Sequence, residues 1–150
     1  MSEMRELYQE MILDHHRHPR NHGKLATANR HAEGFNPLCG DRVTVYVRVE
    51  GDRIQDVSFE GSGCAICIAS CSLMTEALKG RTLAEAEKLF GRFHDLLTVD
   101  ATITDEEVLG KLAVFEGVRE FPVRVKCATL PWHAFRAAVQ QTVNQSVSTE

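Results

Sequence analysis

Val43-Thr44-Val45-Tyr46-Val47-Arg48-Val49-Glu50-Gly51-Asp52-Arg53-Ile54-Gln55-Asp56-Val57-Ser58-Phe59 reads as a β-hairpin. Its valines alternate with Thr44, Tyr46 and Arg48, the period of two that gives a strand one buried face. Gly51-Asp52 supplies a two-residue turn, and Ile54 to Phe59 returns as the partner strand. Upstream, His31 to Pro37 reads as another extended segment, so about three antiparallel strands are expected.

On both sides of the hairpin the period becomes helical. Met4, Leu7, Tyr8, Met11, Ile12 and His15 mark an amphipathic helix from about Glu3 to Arg17, stopped by Pro19. Downstream, Cys64 to Leu78 is small and apolar at helical density and ends at Lys79-Gly80. Thr82 and Glu85 form a capping box for a helix that buries Leu83, Ala86, Leu89, Phe90 and Phe93. A further helix is expected from Thr104-Asp105-Glu106-Glu107, carrying Val108, Leu112 and Phe115. Phe121-Pro122 reads as a break. The last helix is expected from Thr129 or Leu130, with Pro131 near its first turn and Trp132, Phe135, Val139 and Val143 along its stripe. Residues 1–2 and 146–150 read as loose ends. Strands followed by a run of helices argue for one α+β domain over residues 1–150, a small antiparallel sheet packed with several α-helices.

A chain of 150 residues can bury a core without staples. A net charge of -4 gives no footprint for nucleic acid, which needs clustered Lys and Arg. The histidine-rich stretch from His15 to His22 reads as the polar end of the first helix. No apolar run approaches the roughly 20 residues that span a bilayer, and no signal-peptide stretch opens the chain, so a soluble, cytoplasmic protein is expected. In that reducing setting the five cysteines argue against a disulfide framework and for metal or nucleophile roles, although each one also suits a core.

Three of those cysteines stand at loops or element ends. Cys39 and Asp41 flank Gly40, which leaves both side chains free to turn toward one ion. Cys64 follows Gly61-Ser62-Gly63 at a helix start, and Cys127 is expected in the same relation to the last helix. Both should then titrate below the free-thiol pKa of roughly 8.5. Three thiolates and a carboxylate would make one tetrahedral first shell. Spacing alone leaves that site and a set of scattered thiols both open. Cys64, Cys67 and Cys71 share one helical stripe, with Cys71 roughly 10 Å along the axis from Cys64, too far to share an ion. Cys67 suits either core packing or an auxiliary sulfur role, and no βαβ unit supports a thioredoxin-type CxxC. His94 and His133 read as satisfied helix residues. Arg124 and Lys126 alternate with Val123 and Val125, which reads either as an exposed edge or as positive charge beside an anionic site.

Several separated strings share one resemblance: Leu7-Tyr8-Gln9-Glu10 with Ile12-Leu13-Asp14-His15, Asn36-Pro37-Leu38-Cys39-Gly40-Asp41, Phe59-Glu60-Gly61-Ser62-Gly63-Cys64-Ala65-Ile66, and Arg124-Val125-Lys126-Cys127-Ala128-Thr129-Leu130 with Trp132. Together they resemble the SufU branch of the IscU/NifU N-terminal family, over nearly the whole chain. Lys126 where IscU scaffolds carry histidine, the helical insert from about Arg81 to Glu116, and the lack of a Leu-Pro-Pro-Val-Lys string are similar to SufU. Cys67 and Cys71 depart from it, since SufU sequences tend to carry serine there. The resemblance implies an IscU-like α+β fold and a role in iron–sulfur cluster assembly with a cysteine desulfurase of the SufS type, and with downstream cluster-assembly proteins. It implies metal ligands at Cys39, Asp41, Cys64 and Cys127. It further implies Zn2+ as the bound ion and Cys39 as the working thiol, freed from zinc to take persulfide sulfur from the desulfurase. A scaffold holding a nascent [2Fe–2S] cluster on the same ligands is the alternative. A purely structural zinc domain is disfavoured by Asp41, since closed structural sites use Cys and His.

Overall fold

The computed structural model describes residues 2–98, 109–140 and 146–148. Its elements are α1 (Ser2–Arg17), β1 (Arg30–Asn36), β2 (Asp41–Glu50), β3 (Arg53–Ser62), α2 (Ala65–Leu78), α3 (Leu83–Thr98), a 3-10 helix (Gly110–Glu120), α4 (Pro122–Val139) and β4 (Ser146–Ser148).

The hairpin forms as its sequence dictates. Gly51 takes φ +61 in the turn, and Val49 faces Ile54 while Glu50 faces Arg53. β1 and β3 flank β2 antiparallel, giving the order β3-β2-β1-β4. β3 does not present a bare edge. Asn21 and Gly23 bond the backbone of Phe59, and Gly80 and Arg81 bond that of Ile54, which covers donors and acceptors that would otherwise invite another strand.

All four alternating valines of β2 are buried. They meet a helical layer in which α4 lies on β1 and β2, α2 lies beside α4, and α1 packs on α2. Phe93 stacks on Trp132 at 4.9 Å between ring centroids and meets Phe115 edge-on at 5.6 Å. These rings anchor α3 and the 3-10 helix to α4. The capping box closes as read, with Thr82 N–H donating to Glu85 Oε1 at 2.9 Å and Glu85 N–H to Thr82 Oγ1 at 3.1 Å. The histidine-rich end of α1 is more than a solvated face. His15 is buried against α2, its Nδ1 2.7 Å from Ser72 Oγ, and burial pushes its pKa down.

Three expectations need correction. The last helix begins at Pro122 rather than at Thr129 or Leu130, with Pro122 in its first turn and Pro131 inside it. Pro122 pre-sets the helical φ there, and Val125 turns to the core instead of lying on an extended edge. Second, the loose tail expected at residues 146–150 is in part ordered, because Ser146–Ser148 pair parallel with Glu33–Phe35. Third, helix α1 already includes Ser2. The helix start expected at 104–107, together with Val108 and Val143, lies outside the described residues, whereas Leu112 and Phe115 are buried in the 3-10 helix.

One polar link fixes α4 against α2. The Ser70 hydroxyl donates to the Ala128 carbonyl at 2.6 Å and accepts from Trp132 Nε1 at 3.2 Å, all of it buried. Ser70→Ala would strand the indole N–H, so urea unfolding should show a loss of about 1–3 kcal/mol; an unchanged midpoint would show that the link is dispensable.

Candidate metal centre

The end of the sheet gathers the candidate ligands. Between β1 and β2 the chain turns through Pro37-Leu38-Cys39-Gly40. The Asn36 carbonyl accepts from Cys39 N–H at 3.3 Å and Gly40 N–H at 2.8 Å, while Asn36 Oδ1 accepts from Leu38 N–H at 3.1 Å. Gly40 takes φ +72, a conformation that favours glycine. Cys39 is therefore presented, half-buried, on a short turn. Asp41 is fully buried at the start of β2.

Across the sheet, β3 brings its end against this turn. A Cβ on Gly61 would lie 2.2 Å from the Arg42 carbonyl oxygen, and one on Gly63 would lie 2.8 Å from Asp41 Oδ1. The absence of both side chains lets Asp41 rest on the Gly63 backbone, where its Oδ1 accepts the Cys64 N–H at 2.9 Å. Cys64 caps α2: its Sγ accepts the Cys67 N–H at 3.4 Å and lies 3.8 Å from Asp41 Oδ2.

Cys127 arrives from above on α4, fully buried, with its Sγ 3.1 Å from Cys39 Sγ and 3.7 Å from Asn36 Nδ2. Because α4 starts at Pro122, Cys127 lies inside the helix, and the expected depression of its pKa by a helix N-terminus does not hold. Burial first, then hydrogen bonds to Cys39 and Asp41, push its thiol up. Pro131, four residues on, has no N–H to offer the Cys127 carbonyl.

The sulfurs of Cys39 and Cys127 and a carboxylate oxygen of Asp41 all lie within 4.8 Å of one another. Tetrahedral zinc with thiolate bonds of about 2.3 Å sets its sulfurs roughly 3.8 Å apart. The group is thus compact enough to close on one ion, and Cys64 adjoins it through Asp41. Soft thiols with a single hard carboxylate suit a thiophilic divalent ion.

The remaining sulfurs lie on the inner side of this group, in a cluster against which Cys39 and Cys64 also pack. Cys67 and Cys71 are fully buried in the cluster of Val43, Phe59, Ile68, Cys127 and Leu130. A hydrogen bond to Cys71, with burial, pushes the Cys67 thiol far up. His94 and His133 pack edge-on against Phe90 in the helical layer. Asn36 is the site residue that the reading of single residues missed: no local signal marks a buried amide whose sulfur partner is 91 positions away.

Outside the candidate ligands lies an open cleft of about 570 Å³, between Leu38, Cys39 and Cys64 on one side and the run from Glu120 to Arg124 on the other. Leu38, Phe121 and Val123 rim it at 60%, 59% and 48% exposure, three of the five exposed large hydrophobic residues among those described. Apolar surface concentrated at one mouth marks a place for a partner. Arg124 stands there too. The charge of Cys64 and a hydrogen bond to Cys127 raise its pKa. It is a cation beside the sulfurs, on a helix rather than on an extended edge.

Residues 7–141 match the family described as NifU-like N terminal domain. The chain belongs to that family. Among its NifU-like relatives, the "Zinc-dependent sulfurtransferase SufU" of Bacillus subtilis (strain 168) is 39% identical over 133 residues, 89% of each chain. The "Iron-sulfur cluster assembly scaffold protein IscU" of Streptococcus pyogenes serotype M1 is 35% identical over 96% of this chain and 89% of its own. Of solved structures, the "Putative iron-sulfur cluster assembly scaffold protein for SUF system (FiSufU)" from Fervidobacterium islandicum AW-1 superposes with TM-score 0.80 at 39% identity, over 89% of this chain and 97% of that one. The N-terminal NifU-like protein of Brucella abortus superposes with TM-score 0.81 at 25% identity, over 91% of this chain and 94% of its own. The NifU-like fold accordingly has its α+β architecture here, and no described helix is long and apolar enough to cross a membrane.

The raised Cys127 thiol has a pH consequence. At neutral pH it is protonated in the metal-free protein, so an incoming divalent ion must displace its proton. Zinc titrated into apoprotein should release protons and bind more tightly as pH rises. Calorimetry in buffers of different ionisation enthalpy reads this directly, and a buffer-independent heat would refute it. Gly63→Ala should push Asp41 aside and weaken zinc binding about 10- to 100-fold, checked by competition with a chelator.

Proposed function

We propose that this member of an iron–sulfur cluster assembly family accepts persulfide sulfur from a cysteine desulfurase of the SufS type and passes it on, with Zn2+ held by Cys39, Asp41, Cys64 and Cys127. The observation that carries this reading is the unequal placement of the three sulfurs. Cys64 and Cys127 are held by helices, whereas Cys39 sits on a glycine turn that both joins the ligand group and faces the open cleft. It is the ligand best placed to leave and react.

When bound, zinc keeps the thiols as thiolates at neutral pH and shields them from oxidation. The chain's own residues then divide the work. The rim of Leu38, Phe121 and Val123 offers apolar surface to the desulfurase. Asp41, fixed by the Cys64 N–H, contributes a hard ligand that binds a thiophilic ion less firmly than a thiolate does. The Cys39 thiolate attacks the outer sulfur of the donor persulfide, R–S–SH. A new sulfur–sulfur bond forms at Cys39, the donor's bond breaks, and R–S⁻ leaves with the electron pair, giving Cys39–S–SH. Attack by an acceptor thiolate on that outer sulfur passes it on and regenerates Cys39.

The same donor set supports a second reading, a scaffold for a [2Fe–2S] cluster, favoured by the IscU name of the Streptococcus relative. Metal content separates the two. A colourless protein with one tightly held zinc that stimulates the desulfurase fits transfer; a brown protein with labile sulfide fits the scaffold. For the transfer reading, Cys39→Ala should fold normally yet take up no sulfur when incubated with desulfurase and L-cysteine, followed by alkylation and intact mass. Uptake at the wild-type rate would remove Cys39 from the role.

A further inference from the structure

Arg124 occupies a position that helix stability does not explain. Phe121 is the N-cap of α4 and Pro122 its first residue, so Arg124 lies in the first turn, which carries no acidic residue. A helix N-terminus is the positive end of the macrodipole and disfavours a cation. The residue stands three positions before Cys127, on the same helical face. It lines the cleft with Cys39 and Cys64, close enough to the sulfurs of Cys64 and Cys127 for them to raise its pKa.

Three thiolates and a carboxylate around a divalent ion leave the centre net negative, and sulfur transfer brings a further anion to its open side. A guanidinium offers five donors in a planar fork, so it can keep one sulfur while taking another. We propose that Arg124 is the anion-holding residue of sulfur transfer: it stands beside the sulfurs of Cys64 and Cys127 at rest, and in the cleft it holds the sulfur carried on Cys39. This inference rests on Cys39 being the acceptor. In the transfer step the Cys39 thiolate bonds the outer sulfur of R–S–SH, and R–S⁻ departs. Loss of the proton to solvent then leaves Cys39–S–S⁻, whose terminal sulfur is the anion that Arg124 receives. Arg124 neither gains nor loses a proton, and it forms no covalent bond.

The test uses full-length, metal-loaded protein with a cysteine desulfurase and L-cysteine. Persulfide on Cys39 is trapped by alkylation and read by mass in single-turnover experiments across desulfurase concentrations. Arg124→Gln should keep the metal content and unfolding midpoint of the wild type, while the saturating transfer rate falls about 10- to 100-fold, the worth of a hydrogen bond to a charged group. The desulfurase concentration giving half-maximal rate should change little. Arg124→Lys should recover part of the loss, because it restores the charge without the fork. An unchanged saturating rate in Arg124→Gln overturns the proposal. So does a loss that tracks lost metal, which would make Arg124 structural, or a loss confined to half-saturation, which would make it a docking residue. Cys39→Ala run alongside keeps the two ideas apart: undiminished sulfur uptake there removes the acceptor reading itself, whereas a normal Cys39 persulfide in Arg124→Gln removes only the role of Arg124.

Discussion

The Asp41 carboxylate rests on the backbone of Gly63 and takes the Cys64 N–H at 2.9 Å. Through that contact the start of β2, the end of β3 and the N-terminus of α2 become one rigid corner. A carboxylate fully buried without such a donor would be costly, and a side chain at Gly63 would occupy its place. The remaining candidate ligands are arranged around this corner. Cys64 is oriented because its N–H is already committed to Asp41, and Cys39 is two residues upstream on the turn that Asn36 ties down.

The other half of the centre comes from the helical layer. Cys127 reaches Cys39 only because α4 lies across β1 and β2, with Leu130 and Ala134 packed against Gly34, where a Cβ would come within 3.0 Å of the leucine side chain. The Ser70 link holds α2 and α4 in register beside it. Candidate ligands held by packed helices and one carried on a turn would give the proposed site a firm back and a freer front. That division suits chemistry in which one thiolate must leave while the others stay. The apolar rim and Arg124 face the same front.

The parts of this arrangement legible in sequence were the local ones. The valine alternation with Gly51-Asp52, and Thr82 with Glu85, each specify an element within a few residues, and both formed as read. Cys39, Asp41 and Cys64 stood out because glycines beside them signal turns and close approaches. The errors have a common physical origin. Val123-Arg124-Val125-Lys126 alternates over too few residues to separate a strand edge from a helix, and Pro131 reads as a helix start although the helix runs through it. That shift moved Cys127 from a helix terminus to a buried interior and reversed the direction of its titration. The pairing of Ser146–Ser148 with β1 and the sulfur contact of Asn36 depend on partners far along the chain. No periodicity records either one.

X-ray absorption at the metal edge of purified protein tests most directly whether these four side chains share one zinc. Three sulfurs at about 2.3 Å and one oxygen at about 2.0–2.2 Å are expected. A shell of four sulfurs would bring Cys67 into the site, and an iron edge with a short metal–metal distance would replace a resident zinc with a cluster; either result would contradict the account.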